Sequence, residues 1–256
     1  MHLEIDDLTV SYESGAIVAV DGFRASVSRG ELVAIVGPTG CGKSTILNAI
    51  AGFHRIDKGQ LLMEGRPVTG PGIDCGIVFQ QHALFDWYTA VQNVAFGLSA
   101  RRMSPSDRTR LALDFLSRVG LSDFAGAYPY QLSGGMKQRV ALARALVVSP
   151  SILLCDEPFA SLDAQTRMMM QHLLLDLWQQ QKMTIVMSTH DIDEAVFVAD
   201  RILLLTNRPA RVAHEFIVKL PRPRAFELRT TRAFNEIRDQ VLLELANELR
   251  EAGWRL

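Results

Sequence analysis

Apolar residues recur along this chain with two periods, and the switches between them outline its elements. Residues 3–5 and 8–12 alternate between apolar and polar positions, residues 16–20 form a β-branched run, and Leu32-Val33-Ala34-Ile35-Val36 is apolar throughout. This pattern predicts strands, and the continuous run fits one buried on both faces. Residues 28–31 read as a turn. After a glycine-rich loop at 37–42 the period lengthens, and Ile46, Leu47, Ile50 and Ala51 mark a helix. Residues 59–65 read as a strand entering a hairpin turn, and 75–79 as a further strand. Helices are expected over 91–98, 107–119 and 134–148, with Gly120 as a stop for the second. Beyond Pro150, strands at 152–155, 184–188 and 202–205 alternate with helices at 164–180 and 191–199. Alternation on both sides of a helical block predicts an α/β core with a helical insertion. Leu220-Pro221-Arg222-Pro223-Arg224 reads as a stiff basic linker, followed by an amphipathic segment over 231–251.

A length of 256 residues allows one large domain, or one domain with a subdomain. Hydrophobic residues at 48% and charged residues at 21% support a packed core and exclude global disorder. Lys plus Arg number 27 and Asp plus Glu 28, a net charge of -1, so no overall positive field exists to hold nucleic acid non-specifically. Cys41, Cys75 and Cys155 form no CxxC pair and no metal spacing, as expected of free thiols in a reducing compartment. The acidic start, Glu4, Asp6 and Asp7, argues against a secretory signal. The longest apolar runs fall far short of the roughly 20 residues that span a bilayer. Work at a membrane would need a partner.

The chemistry begins at Gly37-Pro38-Thr39-Gly40-Cys41-Gly42-Lys43-Ser44-Thr45, which satisfies G-x-x-x-x-G-K-[ST] between a predicted strand and a predicted helix. Glycines let backbone N–H groups turn inward as an anion-binding nest, and a helix N-terminus adds its positive dipole end. In this pattern Lys43 reaches the β- and γ-phosphates of a nucleotide and the Ser44 hydroxyl ligates Mg²⁺. Downstream, Ile152-Leu153-Leu154-Cys155-Asp156-Glu157-Pro158 puts two carboxylates at the end of a buried strand. An acid there needs a partner. A Mg²⁺ beside the phosphates would satisfy Asp156, usually through water, while Glu157 can aim at the water that attacks the γ-phosphate.

Between these lies Leu132-Ser133-Gly134-Gly135-Met136-Lys137-Gln138-Arg139, which resembles the signature motif of ATP-binding cassette (ABC) proteins. Ser133, Gly134 and Gly135 open a helix, giving a second anion-binding N-terminus in the chain. It makes sense in a head-to-tail dimer in which each signature closes the other subunit's ATP. The resemblance implies further roles, one position at a time. Gln80 matches the glutamine that senses Mg²⁺ and water, and Asp163 in Ser161-Leu162-Asp163 matches the loop that crosses the dimer interface. His190 matches the switch histidine that contacts the γ-phosphate, and Tyr12 the aromatic that stacks on adenine. Catalysis thus falls to Glu157, His190 and Gln80, metal binding to Ser44, Gln80 and Asp156. Cys155 stands where a larger aliphatic is usual. The implied fold is a P-loop NTPase core with a mainly parallel sheet, a small antiparallel β subdomain and an inserted α-helical subdomain at about 87–148. Residues 2–230 form the ATPase domain and 231–256 a C-terminal amphipathic helical tail.

Softer matches point to the nitrate/sulfonate/taurine importer subfamily. They include Gln80-Gln81-His82-Ala83-Leu84-Phe85-Asp86-Trp87, residues 91–98, Asp156-Glu157-Pro158-Phe159, residues 189–195, Asn207-Arg208-Pro209-Ala210-Arg211-Val212 and residues 220–224. The resemblance implies two ATPase subunits at the cytoplasmic face of the inner membrane, docked on two integral-membrane permease subunits. A solute-binding protein would take part indirectly, and nucleic acid not at all. The alternatives are the ATPase of an ABC lipid or efflux system and a soluble non-transport ABC ATPase. The loop after Gln80 is oddly apolar, with Ala83, Leu84, Phe85, Trp87 and Tyr88. It either meets a permease or folds back onto the helical subdomain.

Overall fold

The computed structural model describes residues 1–254. In chain order its elements are β1 (Leu3–Tyr12), β2 (Ile17–Val27), β3 (Leu32–Val36), α1 (Lys43–Ile50), β4 (Lys58–Met63), β5 (Arg66–Pro67) and β6 (Cys75–Val78). Then come α2 (Ala90–Gly97), α3 (Pro105–Arg118), α4 (Gly134–Leu146), β7 (Ile152–Asp156), α5 (Ala164–Gln181) and β8 (Thr184–Thr189). Last are α6 (Ile192–Val198), β9 (Arg201–Leu205), β10 (Val212–Ile217) and α7 (Arg232–Glu251). The chain divides into two compact units: Met1–Gly72 with everything from Thr184 onward, and Ile73–Met183.

In the first unit, β2-β1-β4-β5 form an antiparallel sheet. The two strands predicted at 3–5 and 8–12 are one strand with a register shift between Ile5 and Leu8, where Asp7 takes φ 53°. A second set of strands is built on β3, which pairs in parallel with β8 and with β9. Every residue of β3 and β8 is buried, which is why neither alternates in polarity. Helix α1 packs on β8, and α6 on β3.

The C-terminal stretch departs from its reading as a linker. Strand β10 pairs antiparallel with β9. Arg224 is buried rather than solvated, and Arg222 and Arg224 cap the C-terminal end of α6. Arg224 Nη1 donates to the Phe197 carbonyl at 2.7 Å and to Val196 at 3.1 Å, and Arg222 Nη2 donates to Val198 at 2.8 Å. Last-turn carbonyls have no partner inside their own helix, so these cations take their place. Asp200 balances the pair, 2.7 Å from Arg222. Burial brings the Arg224 guanidinium down to about 9, with Arg222 adding to the fall and Asp200 opposing it. Helix α7, capped by Thr231, lays buried Phe234 and Val241 inward and packs on α6.

In the second unit, β6 and β7 pair in parallel, and α2, α3 and α4 pack on one another. Each helix start is chemically marked. Thr89 and Gln92 form a capping box on α2, Ser104 caps α3 with Pro105 in its first turn, and Ser133 caps α4. Gly120 follows α3 at φ 67°, the left-handed stop its position predicted.

Candidate functional site

The phosphate-type loop lies wholly in the first unit. β3 delivers it and α1 leaves it. Gly42 takes φ 128°, and a Cβ there would sit 2.8 Å from the Ala19 carbonyl oxygen and 3.0 Å from Ala210 Cβ. A side chain at Gly37 would sit 3.0 Å from Leu205 Cβ and 3.1 Å from Cys41 Sγ. These two glycines are required by close approach and not merely by turn propensity. Lys43 is buried, and its Nζ donates to the carbonyls of Gly37 at 2.7 Å and Pro38 at 2.9 Å, so the ammonium closes the loop on itself. Thr39, Gly40 and Ser44 are exposed along the rim. Cys41 is buried and free, its thiol pushed up by desolvation. Thr45 is buried, with Oγ1 2.9 Å from the Tyr12 hydroxyl. The same hydroxyl is 3.2 Å from His54 Nε2, and the two rings meet edge-on at 5.2 Å. His190 is exposed just past β8, and Asp191 next to it caps α6 through the Glu194 N–H at 3.0 Å.

The remaining candidates lie in the second unit. β7 ends at Asp156, and Glu157 takes φ 46°, a left-handed conformation that costs a non-glycine residue about 1–3 kcal/mol. Gln80 Nε2 donates to Glu157 Oε2 at 3.4 Å. Ser133 Oγ accepts from the Met136 N–H at 3.3 Å. A side chain at Gly134 would meet nothing within 4 Å, so that backbone is open, whereas one at Gly135 would sit 3.3 Å from Leu162 Cδ2. Asp163 caps α5, accepting from the Thr166 N–H at 2.9 Å and its hydroxyl at 2.8 Å. Those bonds hold the Asp163 carboxyl below the usual carboxylate range.

The apolar loop after Gln80 is an ordered structure. Asn93 is fully buried beneath it and donates to the carbonyls of Phe85, Tyr88 and Thr89 at 3.0–3.1 Å while accepting from the Phe85 N–H at 2.9 Å. Phe85, Trp87, Tyr88 and Phe96 form an aromatic cluster, with Phe85 and Phe96 centroids 4.6 Å apart. Trp87 is nevertheless 70% exposed. Beside it runs a groove of about 520 Å³ lined by Ile77, Phe79, Phe85, Phe96, Arg144 and Val148, among others.

The ABC transporter family model matches residues 20–160. The chain belongs to the ABC transporter family. It is 43% identical over 249 residues to a nitrate import ATP-binding protein of Synechocystis, covering 94% of each chain. It is 41% identical over 262 residues to a taurine import ATP-binding protein of Chromobacterium violaceum, covering 98% of each. The solved dimer of an ATP-binding cassette in a post-hydrolysis state, bound to ADP and Pi, superposes with a TM-score of 0.78 at 33% identity, covering 86% of this chain and all of that one. This cassette is accordingly an ATPase whose hydrolysis is coupled to transport, and its fold is the α/β cassette its motifs implied.

Within the cassette, the structure joins Tyr12 to Thr45 in one unit and Gln80 to Glu157 in the other. It also reveals residues that motif reading passed over. Arg208 Nη2 donates to the Gly40 carbonyl at 3.1 Å, and Ala210 packs against Gly42, so residues 207–211 brace the phosphate loop. Gln138, inside the quoted signature, is 3% exposed and bonds to both the Pro158 carbonyl and His82. The available signal was a polar residue sharing a helical stripe with Ala141 and Ala145.

Gly42→Ala forces a Cβ against the Ala19 carbonyl at a φ that disfavours it. ATP binding by the folded variant is expected to weaken about tenfold or more, read by calorimetric titration. A folded Gly42→Ala cassette with wild-type affinity would show that this approach does not shape the phosphate site.

Proposed function

We propose that this cassette is the ATP-hydrolysing subunit of an importer that takes up a small solute, an anion of the nitrate, sulfonate or taurine type. The observation that carries the reading is the near full-length similarity to import ATP-binding proteins for nitrate and taurine. Two copies pair head to tail and dock on two integral-membrane permease subunits at the cytoplasmic face of the inner membrane. A solute-binding protein acts through the permease. Among the described residues no helix is long and apolar enough to cross a membrane, so the grip on the permease falls to surface residues. Exposed Trp87 on its pinned loop, beside the apolar groove, supplies such a surface. An efflux or lipid system would use the same catalytic residues, and the import relatives favour uptake.

In this reading the loop 37–45 holds the phosphates of ATP through its backbone N–H groups, Pro38 alone having none, and Lys43 leaves the Gly37 and Pro38 carbonyls for the β- and γ-phosphates. Tyr12 stacks on adenine through its ring face. Ser133, Gly134 and Gly135 of the partner copy meet the γ-phosphate at a helix N-terminus, with Asp163 at the copy-to-copy border. Ser44, Gln80 and Asp156 offer a hydroxyl, an amide oxygen and a carboxylate, the hard oxygen donors that suit Mg²⁺. The Gln80 amide nitrogen is the atom engaged with Glu157, which leaves its oxygen for the ion. When bound, Mg²⁺ neutralises charge building on the β- and γ-oxygens. Glu157 accepts a proton from the water whose oxygen bonds to the γ-phosphorus as the bridging P–O bond to ADP breaks. His190 contacts the γ-phosphate and holds it in line.

Two experiments test these assignments. Glu157→Gln keeps shape and hydrogen bonding yet cannot take the proton, so hydrolysis is expected to fall about 10²–10⁴-fold while ATP binding persists. Hydrolysis at the wild-type rate would remove Glu157 as the base. Trp87→Ala is expected to weaken co-purification with the permease by about 2 kcal/mol or more without changing ATP affinity of the free subunit. A variant that keeps its permease but loses fold or ATP binding would make Trp87 a structural residue.

A further inference from the structure

We propose that His82 and Gln138 form a positioning relay that sets the Glu157 turn and ties it to the loop bordering the apolar groove. The proposal rests on the reading of Glu157 as the base.

Gln138 sits on α4, and a primary amide buried to this degree needs partners at both ends. Its Nε2 donates to the Pro158 carbonyl at 2.7 Å. Pro158 offers only an acceptor there, so the orientation of the amide is fixed. Its Oε1 therefore faces His82 Nδ1 at 2.5 Å as acceptor, and His82 must carry a proton on Nδ1. Pro158 follows Glu157, whose left-handed backbone persists only where neighbours over-determine it. The Pro158 carbonyl is a handle by which that turn is held.

The other end of the relay closes a ring. His82 lies two residues after Gln80, and Gln80 reaches the Glu157 carboxylate at 3.4 Å. The segment 80–82 and the turn 157–158 are thus joined twice, once through Gln80 and once through His82 and Gln138. Arg144, further along α4, donates to the carbonyls of Ala83 at 2.8 Å and His82 at 3.3 Å. Its guanidinium lies 5.5 Å from the Phe85 ring centroid, and both residues line the groove. A body that enters the groove and shifts Phe85 moves the His82 backbone, and two hydrogen bonds carry that shift to Pro158 and Glu157. Ser133 caps the opposite end of the same helix, so one rigid rod bears the signature, the relay and the groove wall.

The test uses the full chain with MgATP, measuring kcat, KM, ATP affinity and thermal midpoint for His82→Phe, His82→Asn and Gln138→Glu. His82→Phe leaves the Gln138 oxygen without its donor, and kcat is expected to fall about ten- to a hundredfold with ATP affinity within about twofold. His82→Asn places an amide N–H near the position of Nδ1–H and is expected to recover most of kcat. Gln138→Glu is isosteric, but its carboxylate cannot donate to Pro158, and it is expected to match His82→Phe. Wild-type kcat in His82→Phe or Gln138→Glu would overturn the relay. So would His82→Asn being no better than His82→Phe at equal thermal midpoint. Glu157→Gln measured alongside separates the two claims. Its full activity would defeat the base assignment, whereas an inactive Glu157→Gln beside a fully active His82→Phe would defeat the relay alone.

Discussion

The loop that opens α1 comes closer to its neighbours at Gly42 than a Cβ would permit, and it does so at φ 128°. The Ala19 carbonyl and the Ala210 side chain occupy the space a side chain at Gly42 would need. Much of the first unit exists to make that approach. β2 brings Ala19, and residues after β9 bring Arg208 to the Gly40 carbonyl and Ala210 to the loop. The buried β3 sets the loop's point of departure. Lys43, folded onto the carbonyls of Gly37 and Pro38, holds a positive charge in a place where water is largely excluded. The backbone bond from the Ala210 N–H to the Ala19 carbonyl at 2.9 Å ties the segment after β9 to β2, so the loop at Gly42 is braced by two segments far apart in sequence.

The second unit applies strain where the first applies closeness. Glu157 follows β7, which is apolar up to its terminal Asp156, and adopts a conformation that its residue type disfavours, with Gln80 on its carboxylate. Helix α4 passes behind this turn carrying three kinds of group: a capped start with open glycine backbone, a buried amide, and an arginine that clamps the aromatic loop. That loop exposes Trp87 while Asn93 fixes its backbone from below. A rigid loop with an exposed aromatic anchor loses little conformational entropy on docking, which suits the permease contact proposed for Trp87.

Much of this was legible in residue patterns. The buried strands β3 and β7 show as apolar runs, and β8 as a shorter one at Ile185-Val186-Met187, because both their faces are covered, and the starts of α1 and α4 show as glycine-rich turns. The linear pattern could not show burial that depends on distant partners. β10 carries His214 and Glu215 on an edge and so lacks an apolar signature. The basic run at 220–224 looks solvated, yet Arg224 is buried because the uncapped carbonyls of α6 and Asp200 wait for it. Glu157's left-handed backbone leaves no mark in the residue pattern, and Gln138 shows only as a polar residue on an apolar stripe, because its bonds to His82 and Pro158 join residues far apart along the chain. The motif-bearing positions were legible one by one, and their supporting residues were not.

In the proposed dimer each ATP is held by the phosphate loop of one copy and the signature of the other. This arrangement is tested by ATP hydrolysis in purified heterodimers carrying Lys43→Ala and Ser133→Arg. With the two substitutions on different copies, a head-to-tail pair keeps one intact site and is expected to retain hydrolysis. With both on one copy beside a wild-type copy, it keeps none and is expected to be inactive. The reverse pattern, activity only when one copy is wholly wild type, would rule out the head-to-tail arrangement and confine each site to a single chain.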